Sequence, residues 1–167
     1  ERLENVRTVL DLQTDFTRPK RFTHRAGSVP LRFSARTTSQ IQVTAKRLHV
    51  TPNVVVMALL QAWISRTTRQ QSFAVGTPMS GRCDRQFERT VGFFVNLLPI
   101  PADLSGDPSL EQLVQRVGKD ILFALSSESL PLAEVVRLKS PQRDASRHPL
   151  FQVSCTFEKS HIKNEQG

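Results

Sequence analysis

The sequence contains no tyrosine, one tryptophan (Trp63) and only two cysteines in 167 residues. Without tyrosine, and with Trp63 inside a helical pattern, it lacks the aromatic interleaving on which single-stranded bases stack. Cys83 and Cys155 are too few for a disulfide framework and lack the spacing of a zinc site. A reduced, cytosolic setting is the simplest reading. No apolar run is long: Val54 to Leu60 falls far short of the roughly 20 residues that cross a bilayer. The polar opening Glu1-Arg2-Leu3-Glu4 has no secretory h-region. GxSxG, P-loop and GxGxxG sequences are all missing. His24, His49, His148 and His161 sit in polar or terminal settings, none paired as a metal site requires. No internal repeat and no low-complexity segment occurs.

What is present is an ordinary composition with a basic balance. Hydrophobic residues make up 38% and charged residues 23%, enough for one domain with a real core. The net charge is +8, with 23 basic against 15 acidic side chains. The basic residues are scattered, with no run of five, which argues against a nucleic-acid footprint. A patch that attracts an acidic protein fits the charge as well as nucleic-acid binding does, and a solvated basic surface without a partner is the bland alternative. Both ends look cut: the chain enters in mid-helix pattern without methionine, and it closes on a polar tail.

Along the chain, residues 1–27 read as a linker, with a short apolar turn (Val6, Val9, Leu10, Leu12) and punctuation by Pro19 and Gly27. Val29, Leu31, Phe33 and Ala35 alternate with polar residues as in a half-buried strand. Thr37-Thr38-Ser39 can cap a helix carrying Ile41, Ala45 and Leu48. Thr51-Pro52 then opens a helix over about 53–68, apolar nearly all round through Trp63 and expected to be the central buried one. Asp107-Pro108 begins a further helix with a stripe of Leu110, Leu113, Val114, Val117, Ile121 and Leu125. Pro131 begins a shorter one carrying Leu132, Val135, Val136 and Leu138. Phe151, Val153, Cys155 and Phe157 alternate as a last strand. The expected order is β-α-α-β-β-α-α-β, an α/β layer arrangement with helices on a mixed sheet.

The organising stretch runs from Phe73 to Ile100. Phe73 to Thr77 reads as a strand stopped by Gly76 and Pro78, and Val91 to Leu98 as one apolar on both faces and so buried inside a covered sheet. Asn96 is the odd residue in it, because a carboxamide among Phe and Leu needs hydrogen-bond partners. Two polar segments also stand out. Gly76-Thr77-Pro78-Met79-Ser80-Gly81-Arg82 brackets its arginine with glycines, which allow close backbone approach. Arg143-Asp144-Ala145-Ser146-Arg147-His148-Pro149-Leu150 sets alternating charges before the last strand. Arg82, Asp144 and Arg147 either bridge one another to fix loops or face a partner. Cys83, beside Arg82 and Arg85, is best read as a plain loop cysteine, Cys155 as packing and His148 as structural.

VGFFVNLLPI is similar to (I/V)GxFVNT(Q/L)xxR, and RDASRHPL to RDxSRNPL, both patterns of the condensation domains of nonribosomal peptide synthetases. GTPMSGR resembles the loop that precedes the first pattern, and TVLDLQTDFTRPKR the connection into the second half of such domains. The resemblance covers essentially the whole chain. Leu97 stands where the pattern has Thr and Pro101 where it has Arg; Ser127 to Ala133 replaces HQDxPFE, keeping the proline. HHxxxDG, which carries the family's catalytic histidine in the N-terminal lobe, is absent, so the chain looks like the C-terminal lobe alone.

The resemblance implies a chloramphenicol-acetyltransferase-like lobe: residues 1–27 as inter-lobe linker, 28–158 as the lobe and 159–167 as a polar tail. It implies a V-shaped pair of lobes in whose tunnel an acceptor amine attacks a donor thioester. Donor and acceptor carrier proteins deliver these substrates on phosphopantetheine, for a peptide or hybrid polyketide–peptide product. An adenylation domain is the implied neighbour, with no bound cofactor, metal, nucleic acid or membrane. No catalytic residue lies in this chain, which is expected to be inert alone or, alternatively, a non-catalytic carrier-docking module. Gly76, Thr77, Ser80, Gly81, Arg82, Gly92, Phe94 and Asn96 would form the substrate and lobe interface. Asn96 would either make a polar contact near the reacting centre or pin neighbouring backbone. Arg143, Asp144, Ser146, Arg147 and Pro149 would form a structural motif.

Overall fold

The computed structural model describes residues 2–82, 85–127, 129–139, 142 and 144–158. Its elements are α1 (Ala35–Arg47), α2 (Pro52–Thr68), β1 (Ser72–Met79), β2 (Asn96–Asp103), α3 (Leu110–Ser126) and α4 (Leu132–Lys139), with a short 3-10 turn at Arg85–Phe87. The strands pair antiparallel, Ser72 opposite Asp103 and Met79 opposite Asn96. Helices α1, α2 and α3 pack in series, and α3 and α4 lie on β2. Phe73, Val75 and Ile100 from the sheet meet Met57 and Ile64 of α2 and Val114 and Val117 of α3 in one core. Burying each such side chain contributes roughly 1.5–3 kcal/mol. No single helix among the described residues is long and apolar enough to cross a membrane.

Helix starts follow local chemistry. Ser34 Oγ accepts from Thr37 N–H (3.1 Å), so α1 begins three residues ahead of the cap expected at Thr37. Pro52 takes the first helical position of α2, where its missing N–H costs nothing. Ser109 and Gln112 form a reciprocal capping box for α3, just beyond the expected Asp107-Pro108 start.

Four expectations are corrected. Residues 29–34 form no strand: they pair with nothing among the described residues, and Val29 and Leu31 stay 91% and 80% exposed. Alternation makes a segment compatible with a sheet edge but cannot supply one. Helix α2 is buried on one face only. Val54, Val55, Met57, Ala58, Gln61 and Ile64 turn inward while Trp63 is 60% exposed, because a two-stranded sheet and two helices cannot surround it. The strand expected at 91–98 begins at Asn96, leaving Val91 and Phe93 in solvent. Its partner β1 ends at Met79, before the left-handed Gly81 (φ 65°), so residues 91–95 have no strand to pair with. Residues 151–157 make one parallel bridge, Gly76 to Ser154, in place of a full strand.

That bridge fixes the sheet's edges. Gly76 donates to Val153 O (2.9 Å) and accepts from Cys155 N–H (2.8 Å), so its backbone turns away from β2. Gly76 and Pro99 are therefore a pair not bonded directly to each other. Pro99 and Pro101 consequently face the outer edge of β2, where proline has no N–H to offer. Two carbonyls on that edge are taken: Gln61 donates to Pro101 O (3.2 Å) and Arg116 to Asp103 O (2.9 Å). The edge is thereby blocked to regular strand addition.

Gly76 also meets the Phe151 ring so closely that a Cβ there would lie 2.3 Å from Phe151 Cε2. Gly76→Ala should therefore destabilise the fold by roughly 1–3 kcal/mol through overpacking. Urea melts of Gly76→Ala and of Gly76→Ala with Phe151→Leu check this: the first should lose stability and the second regain part of it.

Candidate functional site

The residues singled out in the sequence assemble into four clusters. Asn96 heads β2 and is half-buried. Its Nδ2 donates to Leu130 O (2.8 Å), and its Oδ1 accepts from Leu132 N–H (3.2 Å). The carboxamide thus ties the start of the strand to the start of α4. On β1, buried Thr77 donates from Oγ1 to Cys155 O (2.9 Å), beside the Gly76 bridge. Cys155 packs against the core, and burial pushes its thiol above the ordinary value.

Gly81, Arg82, Gly92 and Phe94 form the third cluster. A Cβ on Gly81 would fall 1.9 Å from Phe94 O, so the exit of β1 and the approach to β2 cross at van der Waals distance. Arg82 lays its guanidinium over the Phe94 ring at 4.3 Å and donates to the carbonyls of Phe87, Thr90 (3.0 Å) and Gly92 (3.4 Å). Its own N–H reaches Ser80 Oγ at 3.4 Å. The fork of the guanidinium suits this multiple carbonyl recognition. Arg82 therefore closes its own loop, and Val91 and Phe93 are displayed outward beyond it. Cys83 lies outside the described residues.

The fourth cluster is the turn before Leu150; Arg143 of its motif lies outside the described residues. Asp144 Oδ1 accepts from Ser146 N–H (2.8 Å) and Oγ (2.6 Å), and Oδ2 pairs with Arg147 Nε (2.7 Å). The Ser146 hydroxyl and amide, with Arg147, hold the Asp144 carboxyl below the usual carboxylate range. Ala145 O accepts from Phe22 N–H (2.9 Å) and Ser146 O from Arg18 (3.4 Å), so the turn anchors the connecting segment. After it, Pro149 leads into buried Leu150 and Phe151. Of the two readings left open for the charged loops, Asp144 and Arg147 do bridge each other, while Arg82 engages its own loop.

A cavity of about 860 Å³ opens between β2, α3 and α4, with Leu98, Phe123, Leu130, Val135 and Leu138 among its walls. At one end Arg2 pairs with Asp120 and lies over the Phe123 ring at 4.5 Å. Burial pushes the Asp120 carboxyl up, and the Arg2 bond pulls it down. Among the described residues, no group of three His, Cys, Asp or Glu side chains can hold a metal ion.

The sequence reading missed two glutamines. Gln152 Oε1 accepts from Leu10 N–H (2.6 Å) and its Nε2 donates to Thr8 O (3.0 Å). Gln70 accepts from Asp11 N–H (2.7 Å) and donates to Val9 O (3.0 Å). Residues 8–11, read as linker, are thereby clamped, with Leu10 in the core. No local signal marks such pairs, whose members lie tens of residues or more apart.

His148 stacks on Phe151 with ring centroids 4.0 Å apart, and its Nδ1 accepts from Leu150 N–H (3.3 Å). Burial lowers its pKa from the ordinary 6.5. The folded state thus prefers the neutral ring, and the unfolded chain takes up the proton first as pH falls. The stability contribution is present above about 6.5 and is lost as pH drops below it toward the lowered folded value. Urea melts between pH 7 and 5 should show wild type losing stability relative to His148→Phe; parallel curves would exclude the effect.

The condensation domain family model matches residues 1–166. Malpibaldin synthetase of Mortierella alpina is 34% identical over 154 residues, covering 92% of this chain and 3% of that synthetase. The structure of holo-AB3403, a four-domain nonribosomal peptide synthetase bound to AMP and glycine, superposes with a TM-score of 0.91 at 26% identity. That match covers 95% of this chain and 12% of the other. The X-domain from teicoplanin biosynthesis, also solved in complex with OxyB, superposes at 0.85 and 26% identity over 92% of this chain and 34% of its own. The chain spans only a small part of the synthetase it matches, and with a model match over nearly all of its own length it belongs to the condensation domain family.

Proposed function

We propose that this chain is the C-terminal lobe of a condensation domain that forms an amide bond during nonribosomal or hybrid polyketide–peptide synthesis. The observation that carries the reading is the family match over residues 1–166. In the proposed reaction, the acceptor amine of an aminoacyl thioester attacks the carbonyl carbon of a donor acyl or peptidyl thioester. A C–N bond forms, the C–S bond breaks, and the proton leaving nitrogen ends on the phosphopantetheine sulfur as a free thiol. Aligning two carrier-bound substrates supplies much of the acceleration.

Within that reading the HHxxxDG imidazole comes from the N-terminal lobe, since the motif occurs nowhere in this sequence. This lobe contributes wall and floor. The segment from Ser80, Gly81 and Arg82 to Gly92 and Phe94 faces the companion lobe, with buried Gly76 and Thr77 fixing its root against residues 153–155. Val91 and Phe93, 100% and 90% exposed, suit burial against it. Asn96 supports the wall from behind. The basic surface suits acidic carrier proteins, with an adenylation domain as neighbour and the cytosol as compartment.

The X-domain neighbour solved with OxyB favours a second reading, a docking module that binds partners without chemistry. Mixing this chain with a separately supplied HHxxxDG lobe and loaded donor and acceptor carriers separates the two. Amide product, detected by mass spectrometry only when both lobes are present, is the expected outcome. Binding of phosphopantetheinylated carrier without product would establish the docking module instead, and neither binding nor product would overturn both readings.

A further inference from the structure

We infer that Asn96 is a positioning residue that acts through α4: its carboxamide caps that helix from the sheet and holds it as one wall of the cavity. Helix α4 starts at Leu132, whose N–H is one of the donors a helix leaves unpaired at its first turn. A cap normally comes from the residue just ahead of the helix. The residue there is Pro131, which has no side-chain oxygen. Its carbonyl serves Glu134 N–H at 2.9 Å. Asn96 Oδ1, 36 positions earlier in the chain, takes the Leu132 N–H instead, while Nδ2 takes the Leu130 carbonyl on the other side of the proline. The two bonds bracket Pro131 as a neighbouring strand would bracket a residue.

The remaining attachments of α4 make this clamp consequential. None of its residues is fully buried. Leu132, Val135 and Val136 rest on the small cluster of Ala74, Leu150 and Phe151. At the far end Lys139 donates to Glu4 O, in the amino-terminal segment. Val135 and Leu138 face Leu98 and Phe123 across the cavity. The helix is thus a thinly attached wall, tied to β2 at its start by one carboxamide. Asn96 satisfies its polar demand by ordering this wall, and its two amide ends are directed at backbone.

Hydrogen exchange on the 167-residue chain, comparing wild type with Asn96→Asp and Asn96→Ala, tests the inference. Asn96→Asp keeps size and shape but sets a carboxylate oxygen against the Leu130 carbonyl, so a role in packing alone would not register it. Exchange across 132–139 should quicken roughly tenfold in Asn96→Ala, which loses both bonds, and less in Asn96→Asp, whose carboxylate can still accept from Leu132 N–H but no longer donates to Leu130 O, while β1 and β2 keep wild-type protection. Unchanged α4 exchange in Asn96→Ala, or equal loss throughout the sheet, overturns the inference. The kinetic consequence rests on the condensation reading. In the reconstituted pair of lobes, kcat should fall roughly tenfold or more through misplacement of the wall, with carrier KM unchanged. A raised KM at constant kcat would instead assign Asn96 to substrate binding. Absence of product from the wild-type pair would count against the proposed reaction and leave the exchange result standing.

Discussion

A sheet of two strands satisfies little backbone beyond its own, and the segments packed around it must find hydrogen bonds elsewhere. In this lobe side-chain carboxamides supply them. Gln152 and Gln70 clamp residues 8–11, and Asn96 brackets Pro131. Gln61 meets the outer carbonyl of Pro101. A carboxamide carries one acceptor and two donors on a planar head, so it mimics a peptide group where no strand is available. Residues 8–11 and the turn at Pro131 are each held by such a group.

The same economy shapes the sheet's edges. β1 lends Gly76 to a single bridge with residues 153–155, which the Phe151 ring reaches because glycine has no Cβ. β2 presents Pro99 and Pro101 outward. Pro101 stands where the related pattern has arginine, and at this position it withdraws a donor from the open edge. Among the most exposed apolar residues, Val91, Phe93, Val29 and Leu31 lie on irregular segments and off the sheet's free edge.

Arg82 and Asp144 show how charged motif residues serve the scaffold before any partner arrives. The guanidinium of Arg82 gathers three carbonyls and an aromatic face from the loop that follows it, while Asp144 folds its own turn and pairs with Arg147. Both loops are consequently presented in defined shapes.

The sequence by itself determined the helices to within a few residues, because apolar stripes are local: Pro52 behind Thr51 and the 113–121 face are legible within one or two turns, while the caps at Ser34 and Ser109 lie a few residues from the starts expected. It also marked Asn96 as a polar group that had to be answered, and the motifs at 76–82, 91–100 and 143–150 pointed to the family. It could not determine which alternating segments pair, since strand bonds join residues far apart and alternation is equally visible in 29–34, which joins no sheet, and in 151–157, which makes one bridge. The start of β2, the single bridge at Gly76, the glutamine clamps and the partner of Asn96 were decided only in three dimensions. Each depends on where a distant backbone group ends up, and no residue carries that information alone.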